Sequence, residues 1–132
     1  MYEKEVNEML YKLSKSKFRN SFHLRKYMIS YINEKGIDTI KKHTIDFINE
    51  KLSDSNPVND GKQTPTKNHP TFIAMHACAC CCRGCLEKWH HIQRGRALTK
   101  DEKNYIYVLL LTWIKNEYNK SIAGDKNETN KI

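Results

Sequence analysis

The stretch TKDEKNYIYVLLLTWI, residues 99–114, decides the fold. Thr99 and Glu102 have the spacing of a capping box, in which each side chain binds the backbone N–H of the other residue at the start of a helix. The apolar residues that follow recur at three- and four-residue spacing, as on the buried face of a helix. They are Ile106, Leu109, Leu110, Trp113 and Ile114. The stretch therefore predicts a long, packed helix.

The rest of the chain shows the same helical spacing in shorter pieces. Apolar stripes predict a first helix around residues 6–13, a second that ends near Lys35 before Gly36, and a third over residues 37–52. Pro70 suits the first turn of another helix, which we expect Gly84 to break or bend. One or two further helical turns are expected over residues 85–92.

These elements predict an all-α protein with a single domain. The domain is expected to span residues 1–118, with a long polar loop at 53–69 and a helix-turn-helix segment rich in cysteine and histidine at 69–90. Residues 119–132 carry no apolar stripe and are expected to form a flexible tail. A chain of 132 residues has the usual length of one domain.

Composition argues against a membrane or secreted protein. Hydrophobic residues make up 39% and charged residues 29% of the chain, proportions typical of globular proteins. No apolar run reaches membrane-spanning length. Charges interrupt the amino terminus every few residues, unlike the apolar core of a signal peptide. We therefore expect a cytoplasmic protein without a membrane partner.

The formal net charge of +8 favours contact with polyanions. The basic residues are spread along the chain instead of forming one stripe. Nucleic-acid binding and a plain lysine-rich, solvated surface therefore remain equally good interpretations. A protein partner is a further alternative.

All five cysteines lie within eight residues, from Cys78 to Cys85. An odd number of clustered cysteines does not predict a disulfide framework and points to reduced thiols that bind metal or react. Cys82 and Cys85 form a CxxC pair, and His90 follows at the spacing of a zinc knuckle. Gly95 stands where a knuckle has its next ligand, so the fourth ligand would be His76 or Cys81. Zinc is the expected ion, because the spacing matches no standard iron–sulfur sequence.

Three other interpretations use the same residues. A CxxC pair at the start of a helix is also a redox motif. A cysteine could act as a nucleophile with His76 or His90 as its base. The small cysteine side chains could also simply pack a tight turn.

The loop before this segment offers further polar groups. Asn59-Asp60-Gly61 is a turn signal, and Lys62 and Gln63 follow it. We expect the loop and the segment 69–90 to form one polar site. Its predicted ligand-binding residues are Asp60, Lys62, Gln63, His69 and Arg83. An ordinary solvent-exposed loop is an equally good interpretation.

Three stretches together resemble a known family. They are NDGKQTP at residues 59–65, HPTFIAMHACACCCRGCLEKWHHI at 69–92 and YIYVLLLTWI at 105–114. They resemble small bacterial and phage proteins catalogued as domain of unknown function 4186, over residues 18–114. The family pattern has threonine where this chain has Cys78 and Cys80, and glutamine at Met75. The resemblance therefore ranks these two cysteines below the other three as ligands, and it implies no mechanism.

The sequence supports three functional hypotheses. The first is a metal-dependent binding module that acts on nucleic acid or a protein partner. Its predicted zinc ligands are Cys82, Cys85, His90 and either His76 or Cys81. The second is a small metallo- or cysteine-dependent enzyme in which Asp60 and Lys62 position an anionic substrate. The third is a metal-free protein that binds a partner.

Overall fold

The structure is a computed structural model that describes residues 2–124. Over these residues it is all-α, as the sequence predicts, with no strand and one short 3-10 turn at Arg19–Ser21. The α-helices are α1 (Glu3–Ser14), α2 (Lys26–Lys35), α3 (Ile37–Lys51), α4 (Pro70–Ala77), α5 (Arg83–His90) and α6 (Lys100–Gly124).

Helix α6 is the centre of the fold. Its 25 residues span roughly 37 Å at the usual helical rise, and α1, α3 and α4 pack against it. The capping box predicted at its start is confirmed. The Glu102 N–H donates to Thr99 Oγ1 over 3.1 Å, and the Thr99 N–H donates to Glu102 Oε1 over 2.9 Å.

Helix α6 continues beyond the predicted end of the domain. Tyr118 and Ile122 follow Ile114 at intervals of four residues, and all three are buried in the core. The prediction of a flexible tail was therefore wrong for residues 119–124, because the apolar face repeats once per turn through polar neighbours. Residues 125–132 of the predicted tail lie outside the described residues.

The chain reverses direction between α4 and α5. Helix α4 starts at Pro70, as predicted, and ends at Ala77. Ala79 then adopts a left-handed conformation with a φ of 57°, and the Cys80 N–H donates to the Met75 carbonyl over 2.7 Å. Helix α4 thus ends before Gly84, which lies in the first turn of α5. The expectation that Gly84 breaks the helix was wrong.

No helix in the range 2–124 combines the length and the apolar composition needed to cross a membrane.

Candidate metal centre

The turn between α4 and α5 brings three thiols together. The Sγ atoms of Cys81, Cys82 and Cys85 all lie within 4.8 Å of one another. Cys81 and Cys85 are 3.5 Å apart, at a distance where the Cys81 thiol donates to the Cys85 sulfur. Cys81 and Cys82 are buried, and Cys85 is half-buried.

The start of α5 positions these sulfurs. Cys82 is the N-cap residue, and its Sγ accepts the Cys85 N–H over 3.3 Å. A residue at N-cap and one three positions later meet at the first helical turn, so the CxxC spacing places both sulfurs on one side. Cys81 comes from the turn just before the helix. The Cys81 carbonyl accepts a hydrogen bond from Thr64 Oγ1 over 2.7 Å, which fixes that residue.

A buried arginine faces the three thiols. Arg19, in the 3-10 turn, is only 9% exposed. Its Nη1 lies 3.7 Å from the Cys81 sulfur, and its Nη2 lies 3.3 Å from the Cys85 sulfur. Nη1 also donates to the His76 carbonyl over 2.7 Å, which holds the guanidinium in place.

The contacts favour one thiolate shared among three sulfurs. Hydrogen bonds from Cys81 and Cys82, with the charge of Arg19, lower the pKa of Cys85. Hydrogen bonds with Cys82 and Cys85, together with burial, raise the pKa of Cys81. For Cys82, a hydrogen bond with Cys81 lowers the pKa, but the bond with Cys85 and burial outweigh it. Cys85 is therefore the anionic member of the group.

This arrangement could hold a metal ion. Thiolate sulfur is the ligand that zinc, Cu(I) and iron–sulfur clusters prefer. A bond of about 2.3 Å from zinc to each sulfur places neighbouring sulfurs about 4 Å apart. The three sulfurs already lie at nearly this separation.

The structure places His90 outside this group. The His90 Nδ1 lies 2.9 Å from the Tyr105 hydroxyl, and its Nε2 lies 2.8 Å from the Cys78 carbonyl oxygen. The same Nε2 is 3.7 Å from the sulfur of Cys80. His90 stands at the last residue of α5, so its ring lies near the opposite end of that helix from Cys82.

His76 also contacts other groups. Its Nε2 lies 3.0 Å from the Thr64 carbonyl oxygen and 3.1 Å from that of Pro65. Its ring stacks on Phe22, with the ring centres 5.5 Å apart. The structure thus unites three of the predicted ligands and places both histidines elsewhere.

The polar loop lies against the thiol segment through Asp60. Asp60 Oδ1 accepts the N–H of Arg83 at the start of α5 over 2.9 Å. It also accepts a hydrogen bond from the Gln63 amide, and Gln63 in turn binds the Lys51 carbonyl. These contacts anchor the loop. Lys62 is exposed, and its side chain has no hydrogen-bond or ion-pair partner among residues 2–124.

Arg83 is a buried structural residue. It is 1% exposed, and its guanidinium donates to four backbone carbonyls at 2.8–3.2 Å. Those carbonyls belong to Leu52, Asp54, Gln93 and Arg96. The side chain therefore ties three chain segments together and is not available to bind a ligand, so the prediction that Arg83 binds one was wrong.

His69 is likewise part of the fold. Its Nδ1 accepts the N–H of Thr71 and so caps α4, and its Nε2 lies 3.0 Å from Nδ1 of His43. Burial, and to a smaller extent the charge of His43, lower the pKa of His69 to about 4. The side chain is 7% exposed and packs edge-on against Phe47.

Sequence reasoning missed Arg19, and it did not foresee the contact of Thr64 with Cys81. Arg19 is 62 and 66 positions away from the two thiols that it contacts. It belongs to no recognisable motif. A lone arginine in a sequence usually indicates a solvated charge, so nothing pointed to a buried one here. Thr64 lies inside the NDGKQTP stretch, directly after Lys62 and Gln63, and its part in the site could have been suspected from that position.

The family comparison covers the whole of this site. Residues 7–115 match the family described as Domain of unknown function (DUF4186). The chain belongs to this family. The DUF4186 match includes Arg19, the loop at 53–69 and all five cysteines, so the site is part of the family domain. No solved structure matches the chain.

Proposed function

We propose that the protein is a zinc-binding module in which Cys81, Cys82 and Cys85 hold the ion. The observation that supports this most strongly is the approach of three sulfurs to within 4.8 Å at a capped helix start. Three separate segments hold this arrangement. Thr64 fixes Cys81, the start of α5 fixes Cys82, and Arg19 contacts Cys85.

Arg19 favours a divalent ion. Three thiolates carry three negative charges, and a divalent ion with the adjacent guanidinium carries three positive ones. The buried group is then neutral, whereas a monovalent ion such as Cu(I) would leave one negative charge in a site that water reaches poorly. Uncompensated buried charge is strongly unfavourable. Among divalent ions, zinc binds such ligands more tightly than iron does.

Three protein ligands leave one position of tetrahedral zinc open. Structural zinc sites usually fill all four positions with protein side chains, whereas catalytic sites keep water or substrate in the fourth. The three-thiol geometry therefore also supports the alternative of a small metalloenzyme. A ligand supplied by a partner molecule would fill the same position in a binding module. Nucleic-acid and protein partners stay predictions that rest on charge.

The test is elemental analysis of protein purified without chelator. We expect about one zinc per chain, and Cys85→Ser should lose it. Cys80→Ser is the matched control, since Cys80 is buried nearby but lies outside the three-thiol group. Replacing zinc by Co(II) then reports the ligands, because sulfur coordination gives strong charge-transfer absorption.

Two outcomes would contradict the proposal. Reduced protein that carries no metal and takes up no Co(II) would exclude the site. Loss of metal in Cys80→Ser to the same extent as in Cys85→Ser would show that the three-thiol group is not the ligand set.

A further inference from the structure

Arg19, which contacts the thiols, also lines a cavity. The cavity is bounded by α1, the segment around the 3-10 turn and the C-terminal half of α6, and its volume is about 130 Å³. Its walls include the apolar side chains of Leu13, Phe22 and Trp113. Arg19 lines this cavity while its Nη atoms contact the thiols. The same side chain therefore contacts the thiols and lines the cavity.

The guanidinium has an unused edge. Nη1 bonds to the His76 carbonyl and Cys81, and Nη2 bonds to Cys85. This leaves the Nε–H and one Nη2 hydrogen without an acceptor in the described part of the chain. Within that part, Arg83 Nε is the only fully buried side-chain nitrogen or oxygen without a partner. The Nε of Arg19 is therefore accessible, and the edge formed by Nε and Nη2 matches the two oxygens of a carboxylate.

The other charges at the cavity do not satisfy this edge. Glu117 is the one acidic residue of the lining, and its carboxylate already accepts the Leu24 N–H and contacts His23 and Lys120. Asn116 also lines the cavity, on the exposed face of α6, and its amide has no partner among residues 2–124. The lining thus combines an acid already paired with His23 and Lys120, an amide without a partner and the edge of Arg19.

We propose that this cavity binds a small monocarboxylate with a short apolar chain. The carboxylate would bind to the Nε and Nη2 edge of Arg19, and the apolar chain would lie against Leu13, Phe22 and Trp113. The planar, two-pronged edge favours a carboxylate over a tetrahedral phosphate. The apolar walls favour a hydrocarbon chain, and the volume limits it to a few carbons. This inference does not depend on metal at the thiols.

The experiment is an NMR titration of the reduced, full-length chain with n-butyrate. We expect shifts of the Arg19 Nε–H and Trp113 indole signals, with a Kd of about 1 mM, as is usual for so small a ligand. Butyramide, its uncharged counterpart, should bind about tenfold more weakly. Inorganic phosphate should also bind more weakly than butyrate, because it cannot use the apolar walls.

Three variants test the position of the ligand. Asn116→Asp places a second carboxylate at the rim and should weaken butyrate binding about tenfold by repulsion. Asn104→Asp makes the same change in charge on α6, at a different surface, and should leave the Kd within about twofold. Arg19→Lys keeps the charge but loses the two-pronged edge, and it should weaken butyrate relative to phosphate.

The proposal is overturned if butyrate and butyramide bind equally, or if neither moves the Arg19 and Trp113 signals at 20-fold above the expected Kd. Equal effects of Asn116→Asp and Asn104→Asp would also overturn it, since butyrate would then respond only to net charge. The two asparagine variants change exposed positions, so this comparison stands even if Arg19→Lys fails to fold.

Discussion

The five cysteines divide into two groups that face opposite ways. Cys78 and Cys80 have no exposed surface and belong to the hydrophobic core. Cys81 and Cys82, from the same turn, and Cys85, from the first turn of α5, lie against Arg19 and the polar loop. We call these the inner and the outer cysteines. Cys80 and Cys81 are adjacent in sequence and yet fall on different sides.

This difference shows that position, not residue type, sets the chemistry of each thiol. Burial raises the pKa of Cys78 and of Cys80, so both remain neutral thiols. Hydrogen bonds from two neighbouring thiols and the nearby guanidinium lower the pKa of Cys85. A turn of five residues between two helices therefore separates packing cysteines from a reactive cluster.

The largest contrast should appear in alkylation rates. In reduced, metal-free protein at pH 7, we expect iodoacetamide to modify Cys85 at least about 100-fold faster than Cys78 or Cys80, since the thiolate is the nucleophile and the inner thiols are inaccessible. Because the pKa of Cys85 is lowered, its rate should stay nearly constant from pH 6 to 8. Peptide mapping by mass spectrometry measures both effects. Equal labelling of all five cysteines would abolish the distinction between the groups.

Serine substitutions should separate the groups by stability. In the presence of chelator, Cys78→Ser should lower the free energy of unfolding by about 1–3 kcal/mol, because it buries a hydroxyl in the core. Cys82→Ser should change it by no more than about 0.5 kcal/mol, since serine is a preferred N-cap residue. Urea unfolding followed by circular dichroism gives both values. The reverse order would show that the outer turn supports the fold more than the core does.

Lowering the pH should destabilise the fold through His90, which contacts the inner cysteines. Burial lowers the pKa of His90 in the folded state, so the unfolded chain takes up a proton first as the pH falls. Stability is therefore full above the unfolded pKa of about 6.5 and declines below it. We expect the free energy of unfolding to fall as the pH is lowered from 7.5 to 5.5. The pKa of His69 is lowered as well, so His69 contributes a loss of stability in the same direction. The diagnostic measurement is therefore the slope of the free energy of unfolding against pH, which should be smaller in His90→Gln than in the wild type.

The smallest effects should come from the loop that covers the outer cysteines. Asp60→Ala removes the acceptor for the first N–H of α5 and should cost about 1 kcal/mol. Lys62→Ala changes an exposed side chain and should cost less than about 0.5 kcal/mol. Thermal unfolding of the two variants side by side tests this. A larger loss in Lys62→Ala would mean that the lysine makes a contact which the structure does not show.

Much of the fold follows from the sequence because apolar spacing and caps are local signals. The stripe after Thr99, the stop at Gly36 and the start at Pro70 all depend on neighbours within about one turn, and all three are confirmed. The extension of α6 to Gly124 was missed because its buried positions, Tyr118 and Ile122, are separated by polar residues.

The site was predicted only in part, because most of its contacts join residues that are far apart in the sequence. CxxC spacing identified Cys82 and Cys85, whose approach is fixed by one helical turn. The partners that complete the group depend on tertiary packing. Neither the contact of Arg19 with Cys85 nor the turning away of His90 toward Tyr105 is encoded by spacing.

The four hydrogen bonds from Arg83 to backbone carbonyls bear on the order in which parts of the chain fold. They join α5 to residues 10, 13, 29 and 31 positions away along the chain. Contacts of such long sequence separation form late, after the cost of closing the intervening loops has been met. During synthesis the five thiols would emerge before Gln93, Arg96 and helix α6, so for that interval the turn that carries them would lack these contacts and be open to oxidation and to stray metal ions.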